Sequence, residues 1–183
     1  LIENCSDFSC NHDKDIENFF KDDFENYTNQ LLGKSYGFVK TNTSLELVAA
    51  FTVSNSMLPV SSLPKNIRNK INRPIPNVKR NSQYPAVLVG QLAVFDSFAG
   101  KHIGDEILSF IKGWFIDPLN KTGCRYIIVD AANNEKVIDF YQRNGFKFIF
   151  ENITEEIEYM KLDLEPEYKR TRLMYFDLII LKS

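Results

Sequence analysis

What this sequence lacks narrows its class before any motif is read. No apolar run approaches the roughly 20 residues that span a bilayer, and no signal-peptide pattern opens the chain, so no membrane association and a cytoplasmic location are expected. Its 3 cysteines, Cys5, Cys10 and Cys124, are an odd and scattered set, which argues against a disulfide framework and for reduced thiols. With 2 histidines and no C-x-x-C or H-x-x-x-H spacing, a metal site is not expected. The most informative absence is local. Between Glu46 and Asp96 there is no Asp or Glu, yet Lys65, Arg68, Lys70, Arg73, Lys79 and Arg80 all fall there. The net charge of −2 therefore hides a polarity: the rest of the chain carries all the acid, and one face suits an anionic partner.

What is present points to a single folded domain over residues 1–183, since that length builds one well-buried core and 15 Phe with 8 Tyr argue against disorder. Ala86 to Phe95 (AVLVGQLAVF) is a nearly unbroken, β-branched apolar run and reads as a buried central strand. Ala99, Gly100, Lys101, His102, Ile103 and Gly104 follow, and then Ile107, Leu108, Ile111, Trp114 and Phe115 repeat at helical spacing. A strand that turns through glycines into a helix leaves backbone N–H groups unpaired where the helix dipole favours an anion. The loop is thus a candidate pyrophosphate cradle. It is neither a Walker A loop nor a dinucleotide fingerprint, because Gly-Lys-Ser/Thr and the third glycine are missing. Arg125 to Ala131 (RYIIVDA) reads as a second buried strand; Asn133 or Asn134 stands at a helix N-cap, and Gly145 closes that helix before Phe146.

Taken in order, LAV, the AGKHIG loop, Asn134 and FYQRNGF resemble the GNAT superfamily of acetyl-CoA-dependent N-acetyltransferases. Three positions depart from that pattern: Ala99 for the usual Gln or Arg, His102 for the first motif glycine, and Val137 for the frequent Ala. A Cβ at His102 obstructs close approach of the backbone to phosphate unless its φ is negative. The resemblance implies an α/β (α+β) fold: a mixed, mostly antiparallel central sheet of about six to seven strands flanked by helices, with splayed central strands. It implies acetyl-CoA as cosubstrate without a metal. The pantetheine arm would pair with the backbone of Leu92, Ala93 and Val94, and the pyrophosphate would lie on the amides of Gly100, Lys101, His102, Ile103, Gly104 and Asp105. Asn134 would cap its helix and touch the pantetheine arm. Tyr141 would donate to the departing thiolate, since a phenol of pKa near ~10 can do so toward a thiol near ~8.5. Asp96, Asp130, His102 or a water chain remain open as general base.

The remaining segments fit that frame. Asp13 to Gln30 carries Ile16, Phe19, Phe20, Phe24 and Tyr27 at helical spacing, an amphipathic helix with an acidic outer face. Ser35 to Lys40 and Leu45 to Val53 read as a hairpin turning over Thr41 to Ser44, and Leu1 to Cys10 as a short strand and turn. From Ser54 to Tyr84 the chain is rich in proline, with a short helix in LPKNIRNKI and Pro64 in its first turn; the alternative is a long solvated connection. Lys147 to Phe150 and Leu173 to Leu181 are expected strands, and Glu151 to Lys161 an acidic stretch with a helical turn. Arg73-Pro74-Ile75-Pro76 resembles one GNAT branch, toxins of toxin–antitoxin pairs that acetylate aminoacyl-tRNA, and the basic segment Lys65 to Arg80 suits a phosphodiester backbone. The activity expected is acetyl transfer to a primary amine by direct attack in a ternary complex. The acceptor is a small molecule, a protein or aminoacyl-tRNA; an antitoxin is the protein partner on the toxin reading, a homodimer the assembly considered, and a CoA-binding module without turnover the alternative.

Overall fold

The computed structural model describes Cys5 and residues 8–41 and 44–182. The strands β1 (Lys34–Thr41), β2 (Leu45–Leu58), β3 (Tyr84–Val94), β4 (Tyr126–Ala132), β5 (Lys147–Phe148) and β6 (Thr171–Asp177) are hydrogen-bonded in the order β1-β2-β3-β4-β6-β5, a six-stranded, mostly antiparallel sheet flanked by helices, as expected. The chain divides into two compact units, Leu1–Asn55 with Val89–Ile111 and Ser56–Leu88 with Lys112–Ser183. The strand β3 (Tyr84–Val94) and the helix α4 (Ile103–Ile116) each run from one unit into the other.

In the first unit, β1 (Lys34–Thr41) and β2 (Leu45–Leu58) form the expected antiparallel hairpin, with a register shift between Phe38 and Val39. The residues 42 and 43 of its turn lie outside those described, as does most of the Leu1 to Cys10 stretch, where Cys5 bridges Leu45. The amphipathic helix is interrupted: α1 (Lys14–Asn18) passes through a π-helical turn, Phe19–Asp23, into α2 (Phe24–Asn29). The extra residue in that turn is invisible to a count of periodicity. Asp13 caps α1 by accepting from the amides of Asp15 and Ile16, both at 3.1 Å. Phe20, Cys10, Leu47, Ala50, Ala93 and Phe95 form a core on which Phe8 packs, its ring 4.4 Å from that of Phe95. Burial there pushes the Cys10 thiol up to about 11.

Glu17 is the buried acid of this unit. Its carboxylate accepts from the Cys10 amide at 2.7 Å and from Lys14 and Lys21, both at 2.9 Å. Those bonds, the Cys10 amide first, hold its pKa down to about 2.

In the second unit, β4 (Tyr126–Ala132) pairs antiparallel with β6 (Thr171–Asp177), and β6 with the short β5 (Lys147–Phe148). The segment read as either helix or solvated connection is neither disordered nor peripheral: Leu58, Val60, Leu63, Ile67, Ile71 and Ile75 are buried against Tyr84, Tyr126 and Tyr175. Its helix α3 is Lys65–Asn72, with Pro64 at the N-cap rather than in the first turn. The apolar residues at three- and four-residue spacing turn inward, and Lys65, Lys70, Arg73, Lys79 and Arg80 stay exposed. Cys124 is half-buried, which raises its thiol to about 11.

Three expected boundaries are corrected here. The last strand stops at Asp177 because that side chain accepts from the Ile179 amide and pairs with Arg125 through both oxygens, at 2.6 and 2.9 Å; Leu178–Leu181 then form a 3-10 turn. The strand expected over Lys147 to Phe150 ends at Phe148, while the Ile149 amide still reaches the Leu173 carbonyl at 3.0 Å. The acidic stretch that follows is a full helix, α6 (Ile153–Met160), capped by Asn152 and closed by Lys161 at φ 55°. Its buried Glu156 explains the commitment to helix: the carboxylate accepts from Arg172 Nε and the Leu173 amide, both at 2.8 Å, with Lys169 Nζ at 3.5 Å. No described helix is long and apolar enough to cross a membrane.

The depressed Glu17 pKa ties stability to pH. Its contribution is complete above the unfolded value of 4.5 and is lost as pH falls toward about 2. Chemical denaturation between those limits is expected to show wild-type stability falling more steeply than that of Glu17→Gln, with the two slopes converging above pH 5 or so.

Candidate functional site

Each unit contributes one stretch that the sequence singles out. In the first, the end of β3 leads through a 3-10 turn, Asp96–Phe98, into α4. Leu92 and Val94 are half-buried on one face of the strand, while Ala93 points into the core. Just before them the Gln91 amide donates to the Thr52 hydroxyl at 2.9 Å. A Cβ on Gly90 would lie 2.8 Å from that oxygen, so only glycine permits the approach. The strand read over Ala86 to Phe95 contains Gly90 and Gln91, and the lone glycine inside it is the sequence signal for this close approach.

The turn itself is built on left-handed backbone. Gly100 has φ 75° with open space where its Cβ would be, and His102 has φ 58°. The negative φ that would clear the His102 Cβ from the approach of a phosphate is not adopted. The backbone keeps the conformation a glycine would take, and histidine occupies it, a residue type that tolerates this region better than most. Its Nδ1 meets Asp105 Oδ2 at 3.1 Å, which fixes the ring beside the first turn of α4. The amides of Gly100, Lys101, His102, Ile103 and Gly104 have no hydrogen-bond acceptor among the described residues. Asp105 leaves that set, because its amide, like that of Glu106, donates to the His102 carbonyl, at 3.0 and 3.3 Å. Lys101 leans back on its own loop, Nζ donating to the Ser97 carbonyl at 3.3 Å and lying 5.4 Å from the Phe98 ring centroid.

Asp96, one of the open candidates for a base, is occupied. It accepts from Ser9 Oγ at 2.7 Å, from Asn11 Nδ2 at 2.6 Å and from the Asn11 amide. The Ser9 bond is the main cause of its lowered pKa, and a carboxylate so held is a weak proton acceptor.

In the second unit, the choice between two asparagines at the end of β4 is resolved. Asn134 is the N-cap of α5 (Glu135–Arg143), its Oδ1 accepting from the Val137 amide at 3.0 Å. Asn133 instead fastens the strand end to the segment before β6, donating through its amide to Arg170 O at 2.7 Å and through Nδ2 to Lys169 O at 2.8 Å. These residues line an open cavity of about 450 Å³ shared with Glu167 and Tyr168. Tyr141 lies in the last turn of α5, 7% exposed, its ring 5.0 Å from Phe140 and 5.3 Å from Phe146. Burial holds its phenol well above the ordinary value, and the hydroxyl is protonated near neutrality. Gly145 follows α5 at φ 81°, where a Cβ would come within 3.0 Å of the Phe176 ring. Among the described residues, no group of three or more His, Cys, Asp or Glu is arranged to hold a metal.

No protein-family model matches the sequence. Solved structures do resemble it. A tyrosine-to-phenylalanine mutant of KacT superposes with TM-score 0.65 at 21% identity, covering 97% of this chain and 89% of that one. AtaT complexed with acetyl-methionyl-tRNA superposes with TM-score 0.69 at 17% identity, covering 96% and 88%. AtaTR bound with acetyl-CoA gives TM-score 0.63 at 16% identity, covering 98% and 92%. The fold is the one these proteins share, the GNAT fold suggested by the sequence.

The Asn134 cap is testable without any ligand. Asn134→Ala is expected to lower unfolding free energy by about 1 kcal/mol in urea titration while leaving circular dichroism of the folded chain unchanged.

Proposed function

We propose that this chain is an acetyl-CoA-dependent N-acetyltransferase of the toxin type, acting on the amino group of an aminoacyl-tRNA. The observation that carries the acetyl-CoA reading is the run of five unpaired amides from Gly100 to Gly104 at the mouth of α4. Such a run binds a diphosphate through fixed dipoles with no side chain required. The fold likeness supports the reading, because AtaTR was solved with acetyl-CoA and AtaT with an acetylated methionyl-tRNA. The acid-free stretch supports the tRNA acceptor: Lys65, Arg73 and Lys79 are exposed and carry no acidic partner among the described residues.

In the proposed reaction the neutral amine attacks the thioester carbonyl, an N–C bond forms, the C–S bond breaks, and the amine's proton leaves to solvent. Backbone N–H groups of Leu92, Ala93 and Val94 pair with the pantetheine arm, and one of them polarises the acetyl carbonyl. The Tyr141 hydroxyl donates to the sulfur as negative charge develops there. The phenol is protonated throughout the physiological range, as that role requires, although burial makes it a weaker acid than a free tyrosine. An aminoacyl ester's amine is less basic than an ordinary amine, so a sizeable share is neutral near pH 7 and a dedicated base matters less, in keeping with the engagement of Asp96 by Ser9 and Asn11.

Acidic side chains at the start of α4 work against this reading. Asp105 and Glu106 satisfy the helix dipole that a diphosphate would otherwise exploit, and His102 adds bulk at the closest approach. His102→Gly is therefore expected to tighten acetyl-CoA binding in calorimetry, and an unchanged or weaker affinity would mean that the diphosphate does not rest there. Tyr141→Phe is expected to lower thiol release from acetyl-CoA by about 100-fold or more with binding preserved. Growth arrest on expression of the wild type, lost with the same substitution, distinguishes the aminoacyl-tRNA acceptor from a metabolic amine. Tight binding with no thiol release from any amine would instead mark a coenzyme-binding module.

A further inference from the structure

A second cavity, of about 330 Å³, opens in the second unit between the end of α3, the first residue of β4, the start of β5 and the end of β6. It is separate from the stretch around Asn134, and it meets the helix that carries Tyr141 only just past its end, at Gly145, which lines one wall. Tyr126 and Ala132 are the first and last residues of β4, which places the two regions about 20 Å apart along the strand. The faces differ as well: Tyr175 lines the cavity, whereas its neighbour Phe176, on the opposite face of β6, packs on Phe146 of the Tyr141 cluster.

The lining combines three kinds of group. Its deep part is aromatic and aliphatic: Tyr126 is 1% exposed, Ile71 2% and Tyr175 8%. The Tyr126 hydroxyl is buried without a hydrogen-bond partner, a desolvated polar atom that a ligand could satisfy. At the mouth, Ile179 and Ile180 are half-exposed apolar side chains beside Arg73 and Lys147. The two remaining charges in the lining are already matched. Lys70 pairs with Glu151 at 2.7 Å, and both oxygens of Asp177 are taken by Arg125. Arg73 and Lys147 have no acidic partner among the described residues, so the mouth is net positive over an apolar, ring-lined interior.

We propose that this cavity binds a small aromatic anion, an aryl carboxylate or an aryl phosphate monoester. The ring lies against Tyr126 and Tyr175, and the charge is held between Arg73 and Lys147. The volume matches the lower end of small-ligand sites, enough for one substituted ring and too little for an extended polymer. Arginine pairs with either acid through two parallel N–H donors, so side-chain chemistry alone does not choose between them. Nothing in this assignment depends on acetyl-CoA, and the two readings can fail separately.

Calorimetry and ligand-observed NMR on the full chain, without coenzyme, test it with four probes: benzoate, phenyl phosphate, neutral benzyl alcohol and inorganic phosphate. At least one aryl anion is expected to bind tenfold or more tightly than both benzyl alcohol and inorganic phosphate, and the preferred one names the acid. The double variant Arg73→Ala with Lys147→Ala, both exposed positions, should weaken that binding at least tenfold while Lys121→Ala leaves it unchanged. Melting curves establish that each variant is folded. Absence of binding by either aryl anion, equal binding of inorganic phosphate, or affinity unaltered in the folded double variant would overturn the proposal.

Discussion

Two residues of left-handed backbone, Gly100 and His102, set the geometry on which the functional reading depends. They shape the connection from the Asp96–Phe98 turn into α4, where the amides of the helix entry meet no acceptor among the described residues. A longer or more regular connection would bring side-chain caps or turn hydrogen bonds to those donors. Here the His102 carbonyl takes the amides of Asp105 and Glu106, which starts the helix, and leaves the five before them open. Histidine at a position that favours glycine costs of order 1 kcal/mol. The ring's bond to Asp105 is solvent-exposed and recovers only part of that cost.

The second unit is organised around a different constraint, the need to pair a buried carboxylate. Glu156 is fully buried and is answered by Arg172, Lys169 and the Leu173 amide. Arg172 Nη2 also donates to Phe150 O at 2.7 Å, so one guanidinium joins α6, the exit of β5 and the start of β6. Removing a partner from such a cluster strands a charge, which is why clusters of this kind hold a single arrangement of their elements. The segment from Glu167 to Arg170 is placed by the same network, through Lys169 and the bonds from Asn133.

Much of this was legible in the residues because the signals were local. The β-branched run of β3, the asparagine cap and closing glycine of α5, and the inward face of α3 follow from patterns within a dozen residues. The parts that escaped depend on partners far away in sequence. Asp177 ends β6 because Arg125, 52 residues earlier, holds it. The acidic Glu151 to Lys161 stretch becomes helix because Arg172 neutralises Glu156. Gly90 matters because Thr52 approaches it from the adjacent strand. At the candidate site, residue identity located the loop, but only the backbone angles revealed which amides are free and that His102 adopts a glycine's conformation.

The cysteines bear on chemical fidelity. Cys10, enclosed in the first core, and Cys124, half-enclosed in the second unit, both have thiols raised to about 11 by burial. At pH 7 only about one in ten thousand such groups is ionised, and the ionised form is the nucleophile. A protein that handled an activated thioester would otherwise risk acylating itself. These two sulfurs are poor rivals to an incoming amine, so thiol appearing in solution would report turnover rather than transfer onto either of them.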